Sequence, residues 1–225
     1  MTTFSAARMR VLAAGLFLAA ALAPAPGAGA APPRPGEFDI CQGCHGVNGQ
    51  GNAELGAPRI AGLDAQYVGR QLADFRDRRR GAGDSFGEQM ITIASMLDET
   101  TIGRLSAYVG TMPERQAPPT WQGDRKAGES AFTTCAACHG AHAEGSAALG
   151  APRLAGMSDW YLARQFSAFA SGKRGADERG AAMRAIADSM KSEQAVRDVI
   201  AYAASLQAPS TACGNGTGGA CDSSR

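Results

Sequence analysis

Apolar residues recur at helical spacing in two stretches of the chain: Val68, Leu72 and Phe75 stand at i, i+4 and i+7, and so do Leu162, Phe166 and Phe169. That spacing lays an apolar stripe along one side of a helix. Asp64 and Ser158, whose side chains can accept from the unpaired N–H groups of a first helical turn, stand just ahead of the two stripes. Helical patterns also cover the segments carrying Cys41 and Cys135, and run from about Asp98 to Gly110 and from about Ser192 to Leu206. No stretch alternates convincingly as a strand. The expectation is a mostly α fold with three helices in each half, joined by long glycine-rich loops. Loops of that kind make a poor self-supporting core but a workable wrapping for a buried, flat group.

The two halves are copies. Residues 41–81 laid on 135–175 give 19 identities over 41 positions. Among them are Cys41/Cys135, Cys44/Cys138, His45/His139, the block Gly56–Arg59/Gly150–Arg153, Tyr67/Tyr161, Gln71/Gln165 and Phe75/Phe169. Two copies are too few for a solenoid and read as a duplicated domain. Residues 36–111 and 127–207 are the expected domains. Between them, residues 112–126 carry Pro113, Pro118 and Pro119 without apolar periodicity, the mark of a linker. Residues 208–225 form a glycine-rich tail.

Residues 1–30 read as an address. Arg8 and Arg10 are followed by the apolar run Val11–Ala23, and Ala28-Gly29-Ala30 offers small residues for cleavage. The run has 13 residues, against the roughly 20 that span a bilayer as a helix. The expectation is therefore export to the periplasm, cleavage near Ala30, and membrane association only through partners. Without that segment the chain carries 20 basic and 21 acidic residues. Such a balance argues against nucleic acid as a partner.

The chemistry sits in Cys41-Gln-Gly-Cys44-His45 and Cys135-Ala-Ala-Cys138-His139. Both are C-x-x-C-H, the pattern of covalent haem attachment. Two thiols one helical turn apart can each join a haem vinyl group as a thioether. The next residue then presents its imidazole to the iron. Structural zinc would need four ligands, and each domain offers a single triad apart from His142. The four cysteines are therefore assigned to two haem c groups, with His45 and His139 as axial iron ligands.

The chain has three histidines, which excludes bis-histidine ligation of both irons. His142 follows His139 too closely to reach the opposite haem face, and reads as a surface loop residue. Methionine is the expected second axial ligand. Met112 and Met157 have no counterpart in the other repeat, whereas Met90 matches Met183 and Met96 matches Met190. Met96 and Met190 stand just before a helix, where an apolar plug against the next turn explains them. Met90 and Met183 stand on polar stretches expected to be loops, and are the preferred ligands.

With these residues in view, the chain resembles the dihaem cytochrome c4 family, built from two class I cytochrome c domains. The resemblance covers roughly residues 36–207. It rests on both attachment sites, on Pro58-Arg-Ile-Ala-Gly and Pro152-Arg-Leu-Ala-Gly, on Tyr67-x3-Gln71-x3-Phe75 with its partner Tyr161-x3-Gln165-x3-Phe169, and on the spacing of Met90 to Leu97 and Met183 to Met190. It implies that Met90 and Met183 are axial ligands, and that the carbonyls of Pro58 and Pro152 accept from the ring N–H of His45 and His139. It also implies that Arg59 and Arg153 pair with haem propionates. Two departures stand out. The leading helix of the first domain is short, with Pro32, Pro33 and Pro35 just before it, and Cys213 and Cys221 lie outside the family pattern, where they could close a disulfide.

The run Arg76-Asp77-Arg78-Arg79-Arg80 has two readings: favourable placement at the negative end of a helix, or a docking patch for an acidic partner. The expected function is electron transfer without a substrate site, between a quinol-oxidising complex and a terminal oxidase. The alternatives are a haem subunit of a multi-subunit dehydrogenase of the flavocytochrome type and, further off, a dihaem peroxidase.

Overall fold

Aspartate and serine side chains open most of the helices. Asp64 accepts from Tyr67 N–H, Asp84 from Gly87, Asp98 from Thr101, Asp124 from Lys126 and Ala127, Asp177 from Gly180, and Ser192 from Ala195. In this computed structural model, which describes residues 31–207, they start α2 (Ala65–Arg76), α3 (Ser85–Ala94), α4 (Glu99–Thr111), α5 (Arg125–His139), α7 (Glu178–Ser189) and α8 (Glu193–Ser205). Two helices open without a side-chain cap, α1 (Phe38–His45) and α6 (Asp159–Ala170). At α6 the Ser158 side chain is not the cap expected of it, and the adjacent Asp159 takes up N–H groups instead. No strand forms among the described residues, only the repeat-matched bridges Asn52–Ala57 and Ser146–Ala151.

Each domain has four helices rather than the expected three. The added pair, α3 and α7, occupies the stretches read as polar loops. Glycine hides them, because Gly87 and Gly180 cost helix propensity near the start of each. The same glycines let the helices dock. A Cβ on Gly87 would stand 2.4 Å from the Cα of Gly81, and one on Gly180 would stand 2.2 Å from that of Gly175. Close packing on the turn that leaves the preceding helix therefore outweighs a weak local preference.

Val68 and Leu72 of the first stripe, and Leu162 and Phe166 of the second, pack on the two cores, while Phe75 packs apart with Ile91 and Ala94. In the first domain Phe38, Ala61, Leu97, Ile102, Leu105, Val109 and Met112 form one buried cluster, joined by Val68 and Leu72. In the second, Phe132, Ala143, Ala155, Val199, Ile200 and Ala203 do the same. The Phe38 ring meets Tyr108 edge-on at 5.1 Å, and the repeat-matched Phe132 meets Tyr202 at 5.5 Å. The leading helices differ, with 8 residues in α1 and 15 in α5. The longer α5 packs closely on α8: a Cβ on Gly128 would stand 2.2 Å from the Asp198 carbonyl oxygen.

The connecting segment is tied down. Met112, at its start, is buried in the first core. The Asp159 carboxylate accepts from the backbone of Thr120 and Trp121 and from the Thr120 hydroxyl, and Ala117 N–H donates to the Gly156 carbonyl. Residues 31–207 belong to one compact unit. Among the described residues no helix is long and apolar enough to cross a membrane. The leader expected over residues 1–30 and the Cys213–Cys221 pair lie outside the described residues.

Candidate cofactor site

Helix α1 ends on His45, so Cys41 and Cys44 occupy its last two turns, three residues apart. Gly46 then takes a positive φ of 80°, which turns the chain back on itself. The returning loop is held by Gly51 N–H donating to the His45 carbonyl at 2.8 Å and by the Asn52–Ala57 bridge. This delivers the Pro58 carbonyl to Nδ1 of His45, at 2.8 Å. The second domain repeats each step: Gly145 N–H donates to the His139 carbonyl at 2.8 Å, and Nδ1 of His139 meets the Pro152 carbonyl at 2.7 Å.

A carbonyl can only accept, so Nδ1 carries the proton and Nε2 keeps its lone pair. Burial pushes both imidazoles below their ordinary range, outweighing the bonds to Pro58 and Pro152, and so favours the neutral form. A neutral ring with a fixed tautomer and a free Nε2 is the state that ligates a metal. The Cys41 and Cys135 thiols are half-buried and their proton affinity is raised by that burial, while Cys44 and Cys138 are exposed. None of the four forms a disulfide.

Beside the first triad lies a cavity of about 630 Å³. Cys41, Cys44, His45, Leu72, Phe75 and Met90 are among the residues that line it. Thiols one turn apart, a fixed imidazole and a thioether around an apolar space fit a haem.

Met90 lies on α3, half-buried against Phe75, Ile91 and Ala94. Met183 lies half-buried on α7, which packs on α6 as α3 packs on α2. Both therefore stand on helices, not on loops. Met96 is 61% exposed, so it does not plug the following helix. Met190 does pack on the second core. Met157 is buried, with its sulfur 3.3 Å from a guanidinium nitrogen of Arg59, and His142 is exposed.

Arg59 is buried and reaches across the domain boundary. It donates to the Ala61 and Ala155 carbonyls, and burial, with Arg153 nearby, lowers it to about 10. Arg153 pairs with Glu114 of the connecting segment. The basic run divides: Arg76, Arg78 and Arg79 face the carboxylates of Glu99, Glu88, Asp74 and Asp77, while Arg80 turns inward.

Arg80 belongs to a cluster that reading the run as a surface feature missed. It donates to Gln71 of its own domain at 2.8 Å, and to Tyr161 and Gln165 of the other at 2.8 and 2.9 Å. Arg174, its repeat partner, donates to Gln165 at 2.8 Å, and to Tyr67 and Gln71 at 2.9 and 2.8 Å. Burial would raise the Tyr161 phenol, but the charges of Arg80 and Arg174 outweigh it and hold the phenol below its ordinary range. The signal was present in the repeat, since Tyr67, Gln71 and Arg80 are each identical to their counterparts.

The profile of the family described as Cytochrome c matches residues 38–113 and 126–207. A thiosulfate dehydrogenase electron acceptor of Stutzerimonas stutzeri (strain A1501) is 35% identical over 60% of this chain, a stretch that spans 64% of that relative. Cytochrome c4 of Azotobacter vinelandii is 28% identical over 76% of this chain and 85% of its own length. The solved cytochrome c4 of Acidithiobacillus ferrooxidans superposes with a TM-score of 0.64 and 30% identity, covering 75% of this chain and 99% of that one.

Proposed function

We propose that this chain, which belongs to the cytochrome c family and is a dihaem electron-transfer cytochrome of the c4 type, works in the periplasm as a relay between a quinol-oxidising complex and a terminal oxidase. Two haem c groups, one in each domain, supply the one-electron couple. The chain's own residues bind and orient them. Cys41 and Cys44, and Cys135 and Cys138, are the covalent attachments. His45 and His139 would present Nε2 to the iron, with the carbonyls of Pro58 and Pro152 holding each ring in place. Met90 and Met183 would supply the second protein ligand of each iron. The leader over residues 1–30 supports export.

One observation carries the reading: His45, fixed through Nδ1, and Met90 line the same apolar cavity. A histidine–methionine pair of that kind would leave the iron no free position for a substrate, whereas catalytic metals keep a position open. The reduced protein is therefore expected to bind carbon monoxide slowly or not at all at neutral pH, and to turn over no peroxide. Rapid, stoichiometric carbon monoxide binding at either haem would overturn the carrier assignment.

A second reading gives the electron donor differently. The 35% identity to a thiosulfate dehydrogenase electron acceptor favours a dehydrogenase as the immediate donor. Comparing the rate of reduction by a thiosulfate-oxidising enzyme with that by a quinol-oxidising complex separates the two.

A further inference from the structure

We infer that Arg80 and Arg174 form one cationic site, shared by the two domains, that holds haem propionate carboxylates and raises the reduction potential of both irons. The inference rests on the dihaem reading above.

The two guanidiniums are buried, at 8% and 9% exposure. Each of their hydrogen bonds goes to a neutral acceptor: the carboxamide oxygens of Gln71 and Gln165 and the hydroxyls of Tyr67 and Tyr161. Nη1 of Arg80 and Nη2 of Arg174 both donate to the same Gln71 oxygen, each at 2.8 Å, so these nitrogens lie no more than 5.6 Å apart. Among the described residues neither arginine forms an ion pair, while Arg76, Arg78, Arg79 and Arg153 each face a carboxylate. Two like charges buried side by side are costly unless an anion joins them.

The cavity beside His45 shows where that anion enters. Arg80, Arg174, Tyr161 and Gln165 line it together with Cys41 and Cys44. A haem held there by thioethers carries two carboxylates of its own, and guanidinium is the side chain best matched to a carboxylate. The cluster is also pre-oriented, with Arg80 over the Phe75 ring at 4.5 Å and Arg174 over Phe169 at 4.6 Å.

Reduction adds one electron to an iron centre and lowers its charge by one. A nearby buried cation favours that change and so raises the potential. Each guanidinium touches both domains, so neither belongs to one haem alone.

The test uses the full exported protein with both haems attached. Midpoint potentials of the two haems are measured in the wild type and in Arg80→Gln, Arg174→Gln, Arg80→Lys and Arg59→Gln. Either Gln substitution is expected to lower both potentials, weakening reduction of each haem by roughly threefold to tenfold. Arg80→Lys keeps the charge and should restore most of the loss, and Arg59→Gln should move the potentials less. Inorganic phosphate added to the wild type should leave both potentials unmoved, because propionates already fill the site. The inference is overturned if the Gln variants leave the potentials unchanged, if only one haem responds, if Arg59→Gln has the larger effect, or if phosphate shifts the wild type. The phosphate arm needs no variant and stands even where a substitution prevents folding. Haem content and the methionine-ligation band, read on the same samples, separate failure of this inference from failure of the dihaem reading.

Discussion

Arg164 of the second domain donates to the carbonyl of Gly56 in the first at 2.9 Å, and Arg70 returns the same bond to Gly150 at 3.1 Å. The two bonds are related by the sequence repeat, so the duplicated domains face each other through matching surfaces, as in an isologous dimer. The Arg164 guanidinium also lies over Phe86 of the first domain at 4.6 Å, and over Trp160 and Tyr161 of its own at 5.2 and 5.6 Å. Arg164→Ala is expected to cost about 1–3 kcal/mol of stability and to let the domains unfold as separate transitions. Differential scanning calorimetry of the holoprotein reads both effects, and an unchanged, single transition would show that this contact does not couple the domains.

Assignment of Met90 and Met183 as axial ligands is checked by absorption. Ferric haem with a methionine ligand has a weak red charge-transfer band. Met90→Ala and Met183→Ala are each expected to remove half of it. Met96→Ala and Met190→Ala should leave it intact, since Met96 is 61% exposed and Met190 packs on the second core. Loss of the band in the second pair would transfer the ligand role to those residues.

Two attachment triads require two covalent haems. Intact-mass measurement of the exported protein should give two haem additions on a chain that begins near Ala31. A single addition would contradict the use of both triads, and retention of residues 1–30 would contradict cleavage of the leader.

Asp159 sets a limit on acid stability. Burial opposes its charge, but hydrogen bonds from the Thr120 hydroxyl and from the N–H groups of Trp121, Thr120 and Trp160 outweigh that and hold its carboxyl below the ordinary range. The folded state therefore releases this proton more readily than the unfolded state does. The resulting stability is fully present above the unfolded value of about 4 and is lost as pH falls through the lower folded value. Asp159→Asn is expected to lower the thermal midpoint at neutral pH, at a cost of about 1–3 kcal/mol, and to flatten its decline below about pH 4. An equally steep decline in the variant would place the acid sensitivity elsewhere.

The helix hidden in each loop shows where sequence reading stops. Residues 84–94 place Phe86, Met90 and Ile93 at i, i+4 and i+7 behind Asp84, and residues 177–189 place Met183 and Ile186 behind Asp177, but a glycine near the start of each lowers helix propensity and the surrounding polar residues read as loop. Asp84 and Asp177 cap both helices locally, and the close approach of Gly87 to Gly81 and of Gly180 to Gly175, a tertiary event, docks them where they stand. The connecting segment is a similar case. Its prolines mark a break between domains, but its tethering to Asp159 is made by a residue 39 positions from Thr120.

The sequence by itself determined the two domains, their helical class and the attachment chemistry. These are local or repeated: a C-x-x-C-H motif needs only the geometry of a helix end, and a duplication shows as identity at a constant offset. Tertiary structure alone decided which arginines stay at the surface. Arg76, Arg78, Arg79 and Arg80 are neighbours in one basic run, yet three meet carboxylates in water while Arg80 is buried on Tyr161, 81 residues away. The physical reason is that the fate of a charge depends on its desolvation and on the groups that meet it, and both are set only when the domains close on each other.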